Sequence, residues 1–408
     1  MSDTRFVYLD NNATTRIHPE VLEAMLPYLK DNFGNPSSAH HHGRAVKAKI
    51  GEVREIVASA LGAGPSEIYF TSGGTESDNL AVKGFAWANR KKGGGRVITS
   101  AIEHPAVLEP CKYLAKNGYD MVKLSVDASA IVSVEEVRDS IDENTVLVSV
   151  MHANNEVGSI QPVEEIAKAA KEKGVAVHTD AVQTFTKVPF TVDSLGVDLL
   201  SVSGHKVSAP KGVGALYARK GTKMHPLVHG GHHERGVRAG TENVAGIIGL
   251  GKAVELGMAN LEKNAAHLKK LRDELERRVL DAIPFVRVNG HKKLRAPGTT
   301  NLSFECVEGE ALLINLDMNG IAISTGSACS SGSLDPSHVL MAMGIPHEII
   351  HGSLRFSFGH ENTIEDVDYV MERLPGVINK IRDISPLWDS AKQRVISLEE
   401  ASGGARLS

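Results

Sequence analysis

Between about residue 50 and residue 220 the chain alternates helical-period segments with short apolar, β-branched runs. That rhythm restricts it to an α/β fold, a mostly parallel sheet covered by helices. Strands are expected at Glu67–Thr71, Arg96–Ser100, Thr145–Met151, Val175–His178, Leu199–Ser203 and Val213–Tyr217, most of them rich in Val, Ile or Leu. Arg44–Leu61 carries Val46, Ile50, Val53, Ile56, Val57 and Leu61 at helical spacing, and Gly62 stands where a helix would end. Several strands run straight into polar or glycine-rich residues. Ligands of open α/β sheets sit outside the carboxyl ends of the strands, so these junctions are where chemistry is sought.

A length of 408 residues exceeds what one core organises, so a large domain and a smaller one are expected. Val244–Ala266 and Leu268–Ile283 read as long amphipathic helices, with the boundary near residue 260. From Phe285 to about Ser385 short strands mix with helices, which fits a smaller α+β domain. The net charge of -4 comes without a block of like charge, which argues against nucleic acid or an anionic membrane as partner. Met1–Tyr8 lacks a basic segment followed by an apolar run, and no apolar stretch spans a bilayer, so the cytoplasm is the expected location. Three cysteines, Cys111, Cys306 and Cys329, suit neither a disulfide framework nor a structural zinc site.

Five strand ends carry candidate chemistry. Ser201-Val-Ser-Gly-His-Lys206 presents a lysine beside Gly212-Val-Gly214, where backbone can approach closely. Asp180 ends its strand and Gln183 follows. A lysine and a carboxylate so placed match pyridoxal 5'-phosphate (PLP), which needs an amine for its aldehyde and an acid at its pyridine nitrogen. Thr71-Ser-Gly-Gly-Thr75-Glu-Ser77 runs from strand through a Gly-Gly turn into a helix and offers free N–H groups to a phosphate. His104 follows the strand at 96–100, where it could stack on a pyridine ring, and Met151-His-Ala-Asn-Asn155 places amides after another apolar strand. Each feature alone also fits a capped helix, a turn or a solvated charge.

Taken together, Tyr8-Leu-Asp-Asn-Asn-Ala-Thr14-Thr15, Asn35-Pro-Ser-Ser38, Gly73, His104-Pro, the asparagine pair, Asp180 to Gln183, Ser203-Gly-His-Lys206 and Arg235-Gly-Val-Arg238-Ala-Gly-Thr241 resemble the NifS/IscS group of cysteine desulfurases, class V, fold-type I PLP enzymes. The resemblance spans nearly the whole chain. It implies a large PLP-binding domain over residues 15–260, with a mostly parallel, seven-stranded type of sheet. It also implies a small domain made of residues 1–14 and 261–408 that carries the catalytic cysteine. Lys206 would hold the cofactor, Asp180 its pyridine nitrogen, His104 its ring face, and Gln183 or Asn155 its 3-oxygen. Gly74, Thr75, Ser203 and His205 would hold the phosphate, with Thr241 reaching the phosphate of the neighbouring subunit in a homodimer. Arg355 resembles the substrate-carboxylate clamp, for which a planar guanidinium is suited, and Asn155 would join it. His233 departs from the glutamine usual in its glycine loop.

Cys329 lies in Ser324-Thr-Gly-Ser-Ala-Cys329-Ser-Ser-Gly-Ser-Leu334, too poor in packing side chains to form a core, so a mobile loop and an accessible thiol are expected. Asp335-Pro336 reads as the cap and first residue of the next helix. By resemblance, Cys329 takes sulfur from L-cysteine as a persulfide and passes it to an iron–sulfur scaffold protein of the IscU/NifU type. No resident metal is expected; only during transfer would Cys329 meet iron–sulfur chemistry. Cys111 in a helix and Cys306 in the strand-like Thr300–Val307 read as structural. His40-His41-His42 and His229, His232 and His233 lack an accompanying ligand cluster. The rivals are selenocysteine lyase or another class V PLP reaction, since fold and cofactor leave the chemistry open, and a non-catalytic adaptor, which would predict a decayed site.

Overall fold

The computed structural model describes residues 5–325, 336–390 and 392–396. Its main sheet has seven strands: β1 Ile68–Thr71, β2 Arg96–Ser100, β3 Asp120–Leu124, β4 Thr145–Ser149, β5 Ala176–Asp180, β6 Leu199–Ser203 and β7 Gly214–Ala218. Their order across the sheet is β1-β7-β6-β5-β4-β2-β3. Every neighbouring pair is parallel except those of β7, which runs against both β1 and β6. The other six strands therefore end at one edge, and the five junctions singled out in the sequence lie along it.

Side chains on a strand point alternately to the two faces, and here both faces are apolar. Ile98, Val148, Leu200 and Ala215 join one core, while their neighbours Val97, Leu147, Leu199 and Leu216 join the other. Burial on both faces explains why these strands read as continuous apolar runs. The edge strand β3, Asp-Met-Val-Lys-Leu, escaped the sequence reading because it carries charges and only Leu124 is buried.

Helix α1, Pro19–Lys30, and helix α2, His41–Leu61, cover one face. Gly62 closes α2 in the left-handed conformation, φ 69°, as the spacing predicted. Helix α3, Gly74–Asn79, starts at the β1 edge and leads through a π turn at Leu80–Gly84 into Phe85–Ala88. Helix α4, Pro105–Lys116, follows β2, and His104 is its N-cap.

Helices α5, Val244–Ala259, and α6, Leu261–Ala282, meet at Asn260 with a bend of 75°. The sequence put that break near His267. It comes earlier because Asn260 leaves helical geometry, at φ -116° and ψ 12°, while its side chain donates to the Leu256 carbonyl. Among the described residues no single helix is long and apolar enough to cross a membrane.

Beyond the bend lies a further, separate apolar core. It is built on an antiparallel sheet of β8 Val286–Asn289, β9 Thr299–Phe304, β10 Ser324–Thr325 and β11 Ser353–Ser357, in the order β10-β11-β9-β8. The N-terminal Val7 and Leu9 belong to this core, far in sequence from its other members. Cys306 lies just past β9 instead of inside it. Helix α7, His338–Ala342, also starts later than Asp335-Pro336 suggested: Ser337 is its cap, its hydroxyl accepting from the Leu340 N–H.

Candidate active site

A cavity of about 290 Å³ opens at the carboxyl edge of the main sheet. It is lined by Gly74, Thr75, His104, Asn155, Asp180, Gln183, Ser203, His205, Lys206 and Arg355. Every described residue assigned to the site from sequence is therefore there except Thr241, which is exposed on the loop before α5. Cys329 lies outside the described residues. Asn12, Ala13, Asp78, Met151 and Val182 also line the cavity and were missed. The Asn-Asn-Ala-Thr motif was the one signal for the first two.

The lysine is set by the N-terminal segment. Lys206 Nζ donates to the backbone carbonyls of Asn12 and of Ala13, the latter at 2.7 Å. Thr15 Oγ1 donates to the His205 carbonyl and accepts from the Ser208 N–H, which clamps the turn carrying the lysine. His205 Nδ1 meets Thr14 Oγ1 at 3.2 Å, and burial, then the cation of Lys206, pushes its imidazole down to about 4.

Asp180 ends β5 with Oδ1 accepting from the Val182 N–H at 2.8 Å. Burial raises its carboxyl to about 6, and a bound cation would pull it back. His104 Nδ1 accepts from the Ala106 N–H at 3.1 Å, which leaves its proton on Nε2. Burial first, with Lys206 and His338 nearby, holds this imidazole at about 4. His104 is thus a neutral, flat ring at neutral pH.

Arg355 is buried, with Nη2 on Asp10 Oδ1 at 2.7 Å and Nη1 on the Asn155 carbonyl at 3.1 Å. Its Nε has no partner. Gln183 donates through Nε2 to the Asn12 carbonyl, while its Oε1 is also buried without a partner.

These residues fit PLP. An amine, a buried carboxylate and a neutral ring line one space, together with Gln183 and Arg355, each of which keeps a buried polar atom without a partner. Close backbone approach at the Gly73–Gly74 turn leaves room that a phosphate could use. A Cβ on Gly214 would come within 2.7 Å of Gly73 Cα, and one on Gly74 within 3.0 Å of Val182.

Glu103 lies directly behind the site, its Oε1 accepting from Ser100 Oγ and the Met151 N–H while Oε2 has no partner. Burial pushes its carboxyl up to about 8. A folded-state value above the unfolded one means that this group's stability contribution is present below about pH 4.5 and is lost as pH rises through 8. Glu103→Gln keeps the two accepted bonds and removes the titration. The difference in unfolding free energy, variant minus wild type, should therefore grow more positive from pH 5 to pH 8, by up to about 1.4 kcal/mol per pH unit. A difference independent of pH in calorimetric scans contradicts the assignment.

The loop residue left open in the sequence has a role in holding its own turn: His233 Nε2 meets Ser37 Oγ at 3.2 Å and Nδ1 accepts from the Gly240 N–H. Next to it, Glu234 is buried at φ 42°, bidentate to Arg54 and accepting from the Phe70 N–H. His40 caps α2.

Residues 7–370 match the model of the aminotransferase class-V family. The chain belongs to that family, whose members use PLP. The cysteine desulfurase IscS of Dictyoglomus turgidum is 53% identical over 382 residues, 94% of this chain and 97% of the relative. That of Methanosarcina thermophila is 54% identical over 386 residues, 95% of each. A solved NifS-like protein superposes with a TM-score of 0.87 at 41% identity, covering 92% of this chain and 100% of that one. Within the class V family, the chain falls among the cysteine desulfurases.

Proposed function

We propose that this enzyme converts L-cysteine to L-alanine and carries the sulfur on Cys329 as a persulfide. The observation that most supports this is the convergence on one cavity of ten residues assigned from the sequence. When bound, PLP supplies an aldehyde for the substrate amine and a protonated ring that accepts electrons from Cα. Lys206 holds the cofactor and, once released, is the base for the Cα proton. Asp180 carries the charge opposite the ring nitrogen, His104 covers the ring, and Gln183 or Asn155 meets the 3-oxygen. Gly74, Thr75, Ser203 and His205 receive the phosphate, joined by Thr241 from a second copy in a homodimer.

Arg355, which lines the cavity, binds the substrate carboxylate, with Asn155 beside it. The Cys329 thiolate then attacks the substrate sulfur. An S–S bond forms as the Cβ–S bond breaks, and its electron pair ends in the methyl C–H of alanine. The flanks of the Cys329 segment support this. Ser324 pairs with Arg355 across β10 and β11, and Ser337 donates to Glu156, the neighbour of Asn155. Two apolar cores support the division into residues 15–260 and residues 1–14 with 261–408. The acceptor is an iron–sulfur scaffold protein of the IscU/NifU type, and the location is the cytoplasm.

Purified protein given L-cysteine should form alanine and show a mass gain of one sulfur on the Cys329 peptide. Alanine without that mass gain would remove Cys329 from the reading, and no alanine would remove the activity. L-selenocysteine run in parallel tests the lyase alternative, which requires the faster rate to fall on selenium.

A further inference from the structure

A second cavity, of about 460 Å³, lies against the first, and Lys206 borders both. Its floor carries another lysine, Lys187, on the turn that follows Asp180 and Gln183. The turn is tightly built. Lys187 N–H donates to the Thr184 carbonyl, and Thr186 before it is held at φ 60°, a left-handed backbone that costs a β-branched residue. Thr186 nests against Gly257 of α5, where any Cβ would come within 2.7 Å of it. The backbone position of Lys187 is therefore fixed by the scaffold.

Among the described residues the wall of this cavity offers no free anion. His18 and Glu20 face it from the α1 end, Lys263 and His267 from α6, and His360 from the segment after β11. Glu20, the one carboxylate on the wall among the described residues, is engaged by Lys252 at 3.1 Å. His205, Lys206 and Asp180 stand on the cofactor side. A half-buried ammonium with no free carboxylate on the described wall is disfavoured by desolvation.

We infer that Lys187 is a nucleophilic amine and a modification site for small acyl donors of the acyl phosphate, thioester or anhydride class, which the 460 Å³ cavity admits. Burial brings its ammonium down to about 7, well below an ordinary lysine near 10.4. A lysine activated by desolvation is a recognised nucleophile. In the reaction the Nζ–C bond to the acyl carbon forms, the bond to phosphate, thiolate or carboxylate breaks, and the Nζ proton goes to water. The product is a neutral amide beside Lys206.

The test is limited acetylation of the intact holoenzyme by acetic anhydride at pH 7, read peptide by peptide with mass spectrometry. Lys187 should be acetylated at least about tenfold faster than the exposed Lys47, Lys116 and Lys171, given an ordinary lysine value near 10.4. Its rate should level off above about pH 8 while theirs keeps climbing. Lys187→Arg, which keeps charge and bulk, should lose this fast phase and leave the other rates unchanged. A Lys187 rate equal to or below the surface rates, or one that climbs with pH as theirs does, overturns the inference. Lys206 serves as the separate control: protected with cofactor bound and labelled without it, whatever happens at Lys187.

Discussion

Replacing Lys206 with alanine is expected to abolish covalent cofactor binding at that position and to lower turnover on the order of 10³-fold or more. The Nζ lies over the Asn12 and Ala13 carbonyls, and no other amine lines the cofactor cavity among the described residues. The variant should still fold. Removing the amine exposes two carbonyls to a cavity large enough for water, and the clamp around the turn runs through Thr15, His205 backbone and Ser208, not through the lysine side chain. Borohydride treatment followed by peptide mapping measures the outcome. Wild type should carry the cofactor mass on the peptide containing Lys206; the alanine variant should not, with its thermal midpoint little changed. Full-strength colour and turnover in that variant would remove Lys206 from its role.

Much of this site was legible because the fold orders it. In a sheet whose parallel strands all end at one edge, residues just after a strand are neighbours in space however far apart they are in sequence. Gly74, His104, Asn155, Asp180 and Lys206 lie after five different strands, and reading strand ends was enough to group them. What failed was long-range placement. Asn12 and Ala13 reach the lysine from a segment with no strand period, across an offset of more than 190 residues. Asp78 sits inside α3 and reads as an ordinary helical polar residue. Lys187 looked like any lysine in a turn; only its neighbours, the second cavity and the lack of an anion set it apart. Helix boundaries moved for local reasons: a capping serine at 337 outweighed the Asp-Pro pair before it, since its hydroxyl both takes the Leu340 N–H and reaches Glu156.

Cys329→Ser should leave the cofactor cavity as it is and stop sulfur transfer. None of the residues lining that cavity would change, so cofactor affinity and colour should stay within about twofold of wild type, while persulfide and alanine formation fall by about 10² or more. The other thiols cannot substitute. Cys111 is buried in α4 among Val107, Leu114 and Leu147, and burial pushes its thiol up to about 12, which leaves almost no thiolate at neutral pH. Cys306 borders a different cavity, donates to the Leu387 carbonyl at 3.2 Å and is likewise raised by burial. A serine hydroxyl cannot accept the sulfur, because it is barely ionised near neutral pH and is a poor nucleophile toward sulfur. The measurement is a single-turnover assay with L-cysteine, following alanine and protein-bound sulfur together. Retained stoichiometric persulfide would place the acceptor thiol elsewhere, whereas loss of colour along with activity would make Cys329 part of the cofactor's support instead of its sulfur relay.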